Sequence, residues 1–324
     1  MYSVTIEASA PGKLILTGEH AVVHGKLAVA GALDLRTHVV LRVCPHTHFQ
    51  LDITGLDQQF SFTLEEARAK QGEANVPGIV AFLVLSQVPE PGNVRVEYSV
   101  TSRVPLASGL GSSASLCVAS AAVILKWAKG DEEVSLAEIN ELAFRGEKII
   151  HGNPSGIDNT VITYGGVVRY KQKNFEMIPL ASPLPVLIVN SNTSKNTKAM
   201  VEKVRLRHVI LPQTMDAVFN AVDQLSEDFI ESLKKGDTSA MEELVDINHG
   251  LCWSMGVVTP VLGQILSCGY KYAVKGKMTG GGGGGCCFFL VAHGVPEGLL
   301  TDLSAAGFEP IQTTLTSTGV LFHS

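Results

Sequence analysis

The chain has 324 residues, of which 45% are hydrophobic and 17% are charged, so it can bury a large core and is not predicted to be disordered. With 31 acidic residues against 25 lysines and arginines, the net charge of -6 argues against a nucleic-acid partner. The longest run of small and apolar residues, Ala114 to Leu125, is too short to span a membrane. Four scattered cysteines, an adjacent pair at 286–287 that cannot readily bridge, and the lack of a CxxC pair predict a reducing compartment, which we take to be the cytoplasm.

The first half of the chain is predicted to hold strands followed by two helices. Residues 1–100 are interpreted mostly as strands, because Val94 to Val100 alternate apolar and polar side chains as a half-buried strand does. Ser112 to Trp127 is apolar almost all round, which predicts a buried central helix. Ser135 and Glu138 have the spacing of a capping box and predict the start of a second helix.

The second half is predicted to alternate strands and helices after a linker. Three prolines between residues 179 and 185 predict that linker. Around it we expect a turn-rich loop at 151–159, a hairpin at 161–170, a strand at 186–190, helices over 195–255, a helix opened by Thr259 and Pro260, a strand at 287–292 and a helix at 297–306. This order predicts an α+β fold with two lobes, residues 1–180 and 181–324, in which mixed or antiparallel sheets pack against helices.

A first glycine-rich segment, residues 105–114, lies between a predicted strand and the buried helix. Its glycines allow the backbone to approach a ligand, and the free amides at the start of the helix attract anions. Gly109, Gly111 and Ala114 also match the G-x-G-x-x-A pattern of dinucleotide-binding folds, with Asp131 further on. The alternating strand before the segment disfavours that alternative, because a Rossmann strand is usually buried on both faces. An ordinary loop before a helix is the simpler alternative.

Two further segments each have two interpretations that the local sequence pattern does not decide between. Residues 280–285 are six glycines directly before an apolar strand, and they form either a flexible linker or a loop packed close to another backbone or a ligand. Lys13, Glu19 and His20 stand among apolar residues, where an unpaired buried charge is costly. They are therefore either functional groups, or a surface salt bridge with a satisfied core histidine.

One carboxylate lies on the unexpected side of its helix. At 100° per residue, Glu147 falls at the edge of the apolar stripe of the second helix, so its side chain points inward. Its partner is either Mg²⁺ with phosphate oxygens or a buried lysine or arginine. Asp158 follows in the turn-rich loop, where it is either a helix cap or a general base held by that loop.

Three ordered blocks resemble the GHMP kinase superfamily: PGK with GEH at 11–20, PLASGLGSSA at 105–114 and KMTGGGGGG at 277–285. Within the superfamily, GEHAVVHG at 18–25 and GEKIIHGNPSGIDN at 146–159 are similar to the mevalonate kinase family. The resemblance implies an N-terminal nucleotide- and substrate-binding domain, a C-terminal GHMP kinase domain and an active site between the lobes. It implies phosphorylation of the primary hydroxyl of (R)-mevalonate with ATP and Mg²⁺, which feeds isoprenoid and sterol synthesis. Phosphomevalonate or homoserine kinase activity, or a non-catalytic sensor of the same fold, stay open as alternatives.

The resemblance also assigns roles to individual residues of this chain. It makes Asp158 the catalytic aspartate with Lys13 beside it, and Ser113 and Glu147 the Mg²⁺ ligands. It assigns ATP and phosphate binding to Ser102, Ala107, Ser108, Gly109, Leu110, Gly111, Ser112 and Ser113. It assigns substrate contacts to Glu19, His20, Asp158 and Thr197. It implies a supporting glycine loop at Gly280, Gly281, Gly282 and Gly283.

Several features depart from the pattern of the superfamily or go beyond it. Ala107 and Ser108 stand where relatives often have Gly-Ala, Gly281 where alanine is common, and Lys195 where relatives have arginine. The resemblance implies mevalonate and ATP as partners and leaves open a prenyl diphosphate inhibitor and a monomer or homodimer. Lys13-Leu followed by His20-Ala resembles an internal peroxisomal address, but its overlap with the predicted site favours coincidence.

Overall fold

In a computed structural model of the chain, the structure describes residues 4–106, 108–152, 154–172, 174–180, 182–194 and 196–323. Within these ranges, twelve strands join one sheet. They are β1 (Val4–Thr17), β2 (Ala28–Pro45), β3 (Gln50–Gly55), β4 (Gln58–Thr63), β5 (Val94–Ser102), β6 (Val167–Lys171), β7 (Asn174–Ile178), β8 (Leu184–Asn190), β9 (Gly276–Met278), β10 (Cys286–Leu290), β11 (Pro310–Leu315) and β12 (Leu321–His323).

Ten α-helices and one short 3₁₀ helix, Ala21–His24, complete the described part of the chain. The α-helices are α1 (Leu64–Lys70), α2 (Val76–Gln87), α3 (Ser112–Lys129), α4 (Leu136–His151), α5 (Ile157–Tyr164), α6 (Thr197–Ile210), α7 (Pro212–Lys235), α8 (Thr238–Met255), α9 (Pro260–Tyr270) and α10 (Glu297–Ala305). Among the described residues, none of these helices is both long and apolar enough to cross a bilayer.

The sheet runs in the order β4-β3-β5-β2-β11-β8-β10-β9, with β1, β6, β7 and β12 attached to its sides. Its described pairings are antiparallel except for the parallel pair of β3 and β5. The long strand β2 pairs with β1, β5, β6 and β11, and so connects the first half of the chain to the second. This topology confirms the α+β prediction, and it excludes the parallel dinucleotide-binding alternative.

Helix α3 is the centre of the N-terminal core, as its composition predicts. Residues 114–125 are all buried, and small side chains let the helix lie close to β1 and β2. The Ser115 hydroxyl donates a hydrogen bond to the Ala10 carbonyl of β1 at 2.9 Å, and Ser120 Oγ contacts the Tyr98 hydroxyl of β5 at 2.7 Å. The first contact fixes the start of α3 against β1, the strand that carries Lys13, and the second fixes the middle of the helix against β5.

Most predicted elements are present, and two predictions near them are wrong. The strand around Val94, both central helices, the capping box of Ser135 with Glu138, and the helices beyond residue 195 are confirmed. Residues 64–70 and 76–87, predicted within a run of strands, are helices. The capping box of Thr63 with Glu66, and Asn75 before Pro77, begin these helices and override the local strand pattern.

The segment after α4 also differs from its prediction. Residues 157–164 form α5, so Asp158 lies in the first turn of a helix rather than in a loop, and the hairpin comprises β6 and β7 only. Gly156 at φ +83° lets the chain turn directly into α5. The proposed division at residues 180 and 181 falls between β7 and β8 and stays a prediction.

Candidate functional site

A cavity of about 690 Å³ opens between the N-terminal elements and the region of α6 and the glycine tract. The predicted site residues that line it are Lys13, Glu19, His20, Ser102, Gly109, Gly111, Ser112, Ser113, Glu147, Asp158, Thr197, Gly280 and Gly281. Four other predicted residues do not line the cavity but lie close along the chain to residues that do: Ser108, Leu110, Gly282 and Gly283. The predicted phosphate-loop residue Ala107, and Lys195, lie outside the described residues.

An ion pair of Lys13 and Asp158 lies at the wall of the cavity. Lys13 Nζ is 3.1 Å from Asp158 Oδ1, and the side chains are 8% and 35% exposed, so the lysine is buried while the carboxylate reaches open space. The Lys13 amide donates to the Leu110 carbonyl at 2.8 Å, which holds β1 against the glycine-rich segment. A Cβ at Gly111 would lie 2.7 Å from Lys13 Cγ, so glycine at this position leaves room for the lysine.

The glycine-rich segment ends in a helix start with free backbone donors. Gly111 at φ +77° precedes α3, and no side chain caps the first turn. The Ser108 hydroxyl instead donates to the Pro105 carbonyl at 2.7 Å and stabilises the turn. The first amides of α3 therefore remain available to an anion, and the hydroxyls of Ser112 and Ser113 lie beside them in the cavity wall. Ser102, whose Oγ lies 2.9 Å from Thr37 Oγ1, is also part of the cavity wall.

Glu147 points inward from α4, as its helical position predicts, and only 3% of its side chain is exposed. Its Oε2 lies 3.7 Å from His151 Nε2, which is itself 3.1 Å from Ser113 Oγ. Burial, with a smaller contribution from the charge of Asp158, raises the pKa of Glu147 to about 7, although Ser113 and Lys13 act in the opposite direction. A nearby cation would stabilise the charged form of this buried carboxylate.

The oxygen donors at this place fit a magnesium ion. Ser113 offers a hydroxyl and Glu147 a carboxylate, and Mg²⁺ prefers hard oxygen ligands, usually one or two from the protein with phosphate and water completing the shell. The burial of Glu147 supports the same conclusion, because a bound cation would offset the cost of keeping its carboxylate charged away from water.

Glu19 and His20 reach the cavity from the turn after β1, and both are buried. Glu19 Oε1 accepts a hydrogen bond from Lys277 Nζ, whose other acceptor is the Met278 carbonyl at 2.8 Å. His20 has a φ of +62°, an unusual backbone conformation for this residue type, and its Nε2 is 2.9 Å from the Gly281 carbonyl. Burial lowers the pKa of His20, which favours the neutral imidazole.

The glycine tract is an ordered loop packed against other backbone, which confirms that alternative over a flexible linker. A Cβ at Gly282 would lie 2.4 Å from the Val257 carbonyl oxygen, and one at Gly284 2.6 Å from that of Thr193. A Cβ at Gly281 would lie 2.8 Å from Thr197 Cγ2. The departure to glycine at 281 is therefore matched by the threonine that packs directly against it in the cavity wall.

Sequence reasoning missed several residues of the cavity. Lys277 belongs to the third block of the resemblance, but nothing local shows that it pairs with a residue 258 positions away. His151 lies four residues after Glu147 on α4, so the helical period could have placed the two together. Asn75 and the first turns of α2 form another part of the wall, and the helix-start signal at Asn75 and Pro77 could have found them.

Comparisons with known proteins agree with this arrangement. Residues 78–166 match the family described as GHMP kinases N terminal domain, and residues 229–307 match GHMP kinases C terminal. A mevalonate kinase of Arabidopsis thaliana is 35% identical to the chain over an alignment of 365 positions, gaps included. The alignment covers 94% of this chain and 96% of that protein.

Two solved structures are similar over nearly their whole length. The Methanococcus jannaschii mevalonate kinase has a TM-score of 0.84 at 26% identity, covering 97% of this chain and 98% of that chain. The L. major mevalonate kinase, solved in complex with R-mevalonate, has a TM-score of 0.81 at 25% identity, covering 98% of each chain.

Proposed function

We infer that this chain, which belongs to the mevalonate kinase family of the GHMP kinases, phosphorylates mevalonate with ATP. The γ-phosphoryl group passes to the primary hydroxyl of (R)-mevalonate, so that the products are 5-phosphomevalonate and ADP. The observation that carries the assignment to this cavity is the ion pair of Lys13 with Asp158, which opens to the same space as the uncapped start of α3. This arrangement supports a site in which backbone amides that can donate hydrogen bonds to an anion lie in the same cavity as a carboxylate that can act as a base.

We propose that the triphosphate binds at the glycine-rich segment and the start of α3. Backbone amides there, with the hydroxyls of Ser112 and Ser113, are placed to bind phosphate oxygens. The glycines allow close approach of the chain, since a side chain at Gly111 would displace Lys13. The nucleoside end of ATP is then proposed to bind the part of the cavity that is lined by Ser102 and by the apolar side chains of Val76 and Ile79.

At the acceptor end, Asp158 is the proposed base. Its carboxylate accepts or orients the proton of the mevalonate hydroxyl while the oxygen bonds to the γ-phosphorus and the bond from phosphorus to the ADP oxygen breaks. Lys13, 3.1 Å away, stabilises negative charge on the attacking oxygen and holds Asp158 in place. Since phosphoryl transfer depends chiefly on positioning and charge neutralisation, these two side chains are the proposed chemical groups of the acceptor side.

Ser113 and Glu147 are the proposed holders of Mg²⁺. The ion would neutralise charge on the phosphate oxygens of ATP when bound. Glu147 is kept in position by its burial on α4 and by His151, so its oxygen stays directed at the space beside Ser113. The substrate contacts proposed for Glu19, His20 and Thr197 lie at the wall formed with the glycine tract, on the side of the cavity that Gly281 shares.

The decisive experiment is a coupled ADP-release assay with mevalonate, phosphomevalonate, homoserine and galactose as acceptors. We expect turnover with mevalonate, and loss of that turnover by a factor of about 10²–10⁴ in Asp158→Asn with ATP affinity retained. Parent-like turnover in Asp158→Asn would overturn the role of this residue. Equal rates with homoserine would overturn the choice of substrate, and ATP binding without product would favour the sensor alternative.

Three further properties are proposals that the same protein preparation can test. Added prenyl diphosphate is expected to raise the apparent KM for ATP if it occupies the phosphate site.

Sedimentation analysis distinguishes a monomer from a homodimer. Cys44, Cys117, Cys252, Cys268 and Cys287 form no disulfide within the described part of the chain, which supports a reducing compartment such as the cytoplasm. Imaging of the tagged full chain tests that location.

A further inference from the structure

A cluster of metal-binding side chains lies outside the cavity, on three strands that meet near the two ends of the described chain. Glu7 is on β1, His38 on β2 and His323 on β12. None of the three lines the cavity, and the mechanism proposed above uses none of them. The cluster therefore calls for its own explanation.

Strand register brings these side chains to one face of the sheet. Glu7 pairs with His323 across β1 and β12, and Ser9, two residues further along β1, pairs with His38 across β1 and β2. Because side chains two residues apart share a face, all four project on the same side. The two imidazole rings stack with centroids 5.5 Å apart.

The donor atoms are close enough for one ion. One ring nitrogen of each histidine and one oxygen of Glu7 lie within 4.8 Å of one another, and Glu7 Oε1 is 3.8 Å from His38 Nδ1. Tetrahedral ligands of Zn²⁺, with bonds of about 2.0–2.2 Å, lie about 3.4 Å apart, so small side-chain rotations close the site. All three side chains are accessible from solvent, which gives the ion an entry path.

The surroundings hold the ligands and balance the charge. The Ser9 hydroxyl contacts His323 Nε2 at 2.8 Å and accepts a hydrogen bond from Arg36 Nε at 2.8 Å, an arrangement that fixes the ring as the outer hydrogen-bond partners of metal-binding histidines do. Arg36 is a cation on this face, but its guanidinium is engaged by the carbonyls of Ser9 and Gly319. Glu7 supplies the negative charge that a divalent ion needs.

We propose that Glu7, His38 and His323 form a Zn²⁺ site that fastens β12 to β1 and β2. Two imidazole nitrogens and one carboxylate oxygen suit Zn²⁺ or a similar transition metal better than Mg²⁺ or Ca²⁺, which prefer oxygen ligands alone. Strand β12 has three residues, all exposed, and within the described chain it pairs only with β1. A metal bridge would therefore stabilise a strand that few other contacts hold in place.

The test is a calorimetric titration of the chelator-treated full chain with Zn²⁺, in excess Mg²⁺ so that the Ser113 and Glu147 region is occupied. We expect one Zn²⁺ per chain at this site, and an affinity at least about tenfold lower in His38→Gln, in His323→Gln and in Glu7→Gln. The matched control is His293→Gln, which removes an exposed histidine elsewhere on the surface. A second control, His151→Gln, removes the histidine near the proposed magnesium ligands.

Two further measurements separate a site from nonspecific binding. Zn²⁺ should slow amide hydrogen exchange in β12 of the parent and not in His323→Gln, and it should raise the Tm of the parent but not of the three ligand variants. Mevalonate kinase activity should be the same in the parent and the three variants. Unchanged Zn²⁺ affinity in both histidine variants, or equal loss in His293→Gln, would overturn the proposal, as would unaltered exchange in β12.

Discussion

Lys277 and Glu19 form an ion pair whose side chains are 0% and 1% exposed, although 258 residues separate them in the chain. The pair joins β9 of the C-terminal half to the turn that carries His20 into the cavity. Breaking one partner of such a pair leaves an uncompensated charge away from water, which is far more costly than losing an exposed pair. The pair is thus a buried contact that, together with the contact of His20 with the Gly281 carbonyl, ties this turn to the C-terminal half of the chain.

Substitution Lys277→Met is expected to destabilise the protein by about 3–5 kcal/mol, because Glu19 stays buried without its cation. The double variant Lys277→Met with Glu19→Gln should recover part of this loss. In both, the KM for mevalonate should rise more than the KM for ATP, since the turn at residues 19–20 loses its anchor. Urea unfolding and steady-state kinetics measure the two effects.

The control for that prediction is Lys271→Met, which removes a lysine that is 64% exposed and paired with Asp302. An exposed pair is screened by solvent and contributes little to stability, so this variant should unfold close to the parent. Equal losses in Lys277→Met and Lys271→Met would show that the buried pair is not the anchor described above.

Substitution Glu147→Gln tests the proposed magnesium ligand. The variant keeps the shape of the side chain and removes its charge, so the Mg²⁺ concentration needed for half-maximal activity should rise by about tenfold or more at saturating ATP. The matched control is Glu141→Gln, an exposed position on the same helix that does not line the cavity. An identical magnesium titration for Glu147→Gln and the parent would rule out ligation by this carboxylate.

Two alanine substitutions in the glycine tract separate backbone conformation from packing. Gly280 and Gly282 have similar positive φ angles, +76° and +69°, but a Cβ at Gly280 meets nothing within 4 Å while one at Gly282 lies 2.4 Å from the Val257 carbonyl oxygen. Gly280→Ala should therefore lower the free energy of unfolding by about 1–2 kcal/mol, because of the left-handed conformation alone. Gly282→Ala should lower it by more, because its Cβ also clashes with the Val257 carbonyl oxygen. Denaturant unfolding of both variants gives the comparison, and equal stability would contradict the close packing of the loop.

Stability is predicted to depend on pH through His249, which lies beside the buried pair. Burial, reinforced by the charge of Lys277, lowers the pKa of His249 from 6.5 to about 4 in the folded protein. Between these values the unfolded chain binds more protons than the folded one, so stability falls as the pH is lowered from 6.5 toward 4. The shift corresponds to about 3 kcal/mol when complete.

The variant His249→Gln removes this titration while keeping a side chain of similar size. Its free energy of unfolding should therefore fall less than that of the parent when the pH is lowered from 7 to 5, as measured by urea unfolding at both values. A parallel decline in the two proteins would mean that His249 does not contribute to the acid sensitivity.

Local pattern predicted most elements of the fold because it reports which face of each segment is apolar. The twelve buried positions of α3 and the inward carboxylate of Glu147 followed from helical periodicity, and the alternation of Val94 to Val100 gave β5 its buried face. Residues 64–70 and 76–87 are helices rather than strands because the start signals at Thr63 and Asn75 outweigh the surrounding strand pattern.

Residue types and their spacing along the chain determined that this protein has a glycine-rich, uncapped helix start, an inward carboxylate and a chain of strands and helices, because these are properties of neighbouring residues. Only the tertiary structure decided that Lys13 lies 3.1 Å from Asp158, that Lys277 pairs with Glu19, and that the glycine tract packs against Val257. Each of these contacts joins segments far apart in the chain, and sheet register and helix docking, rather than local periodicity, set the distances between such segments.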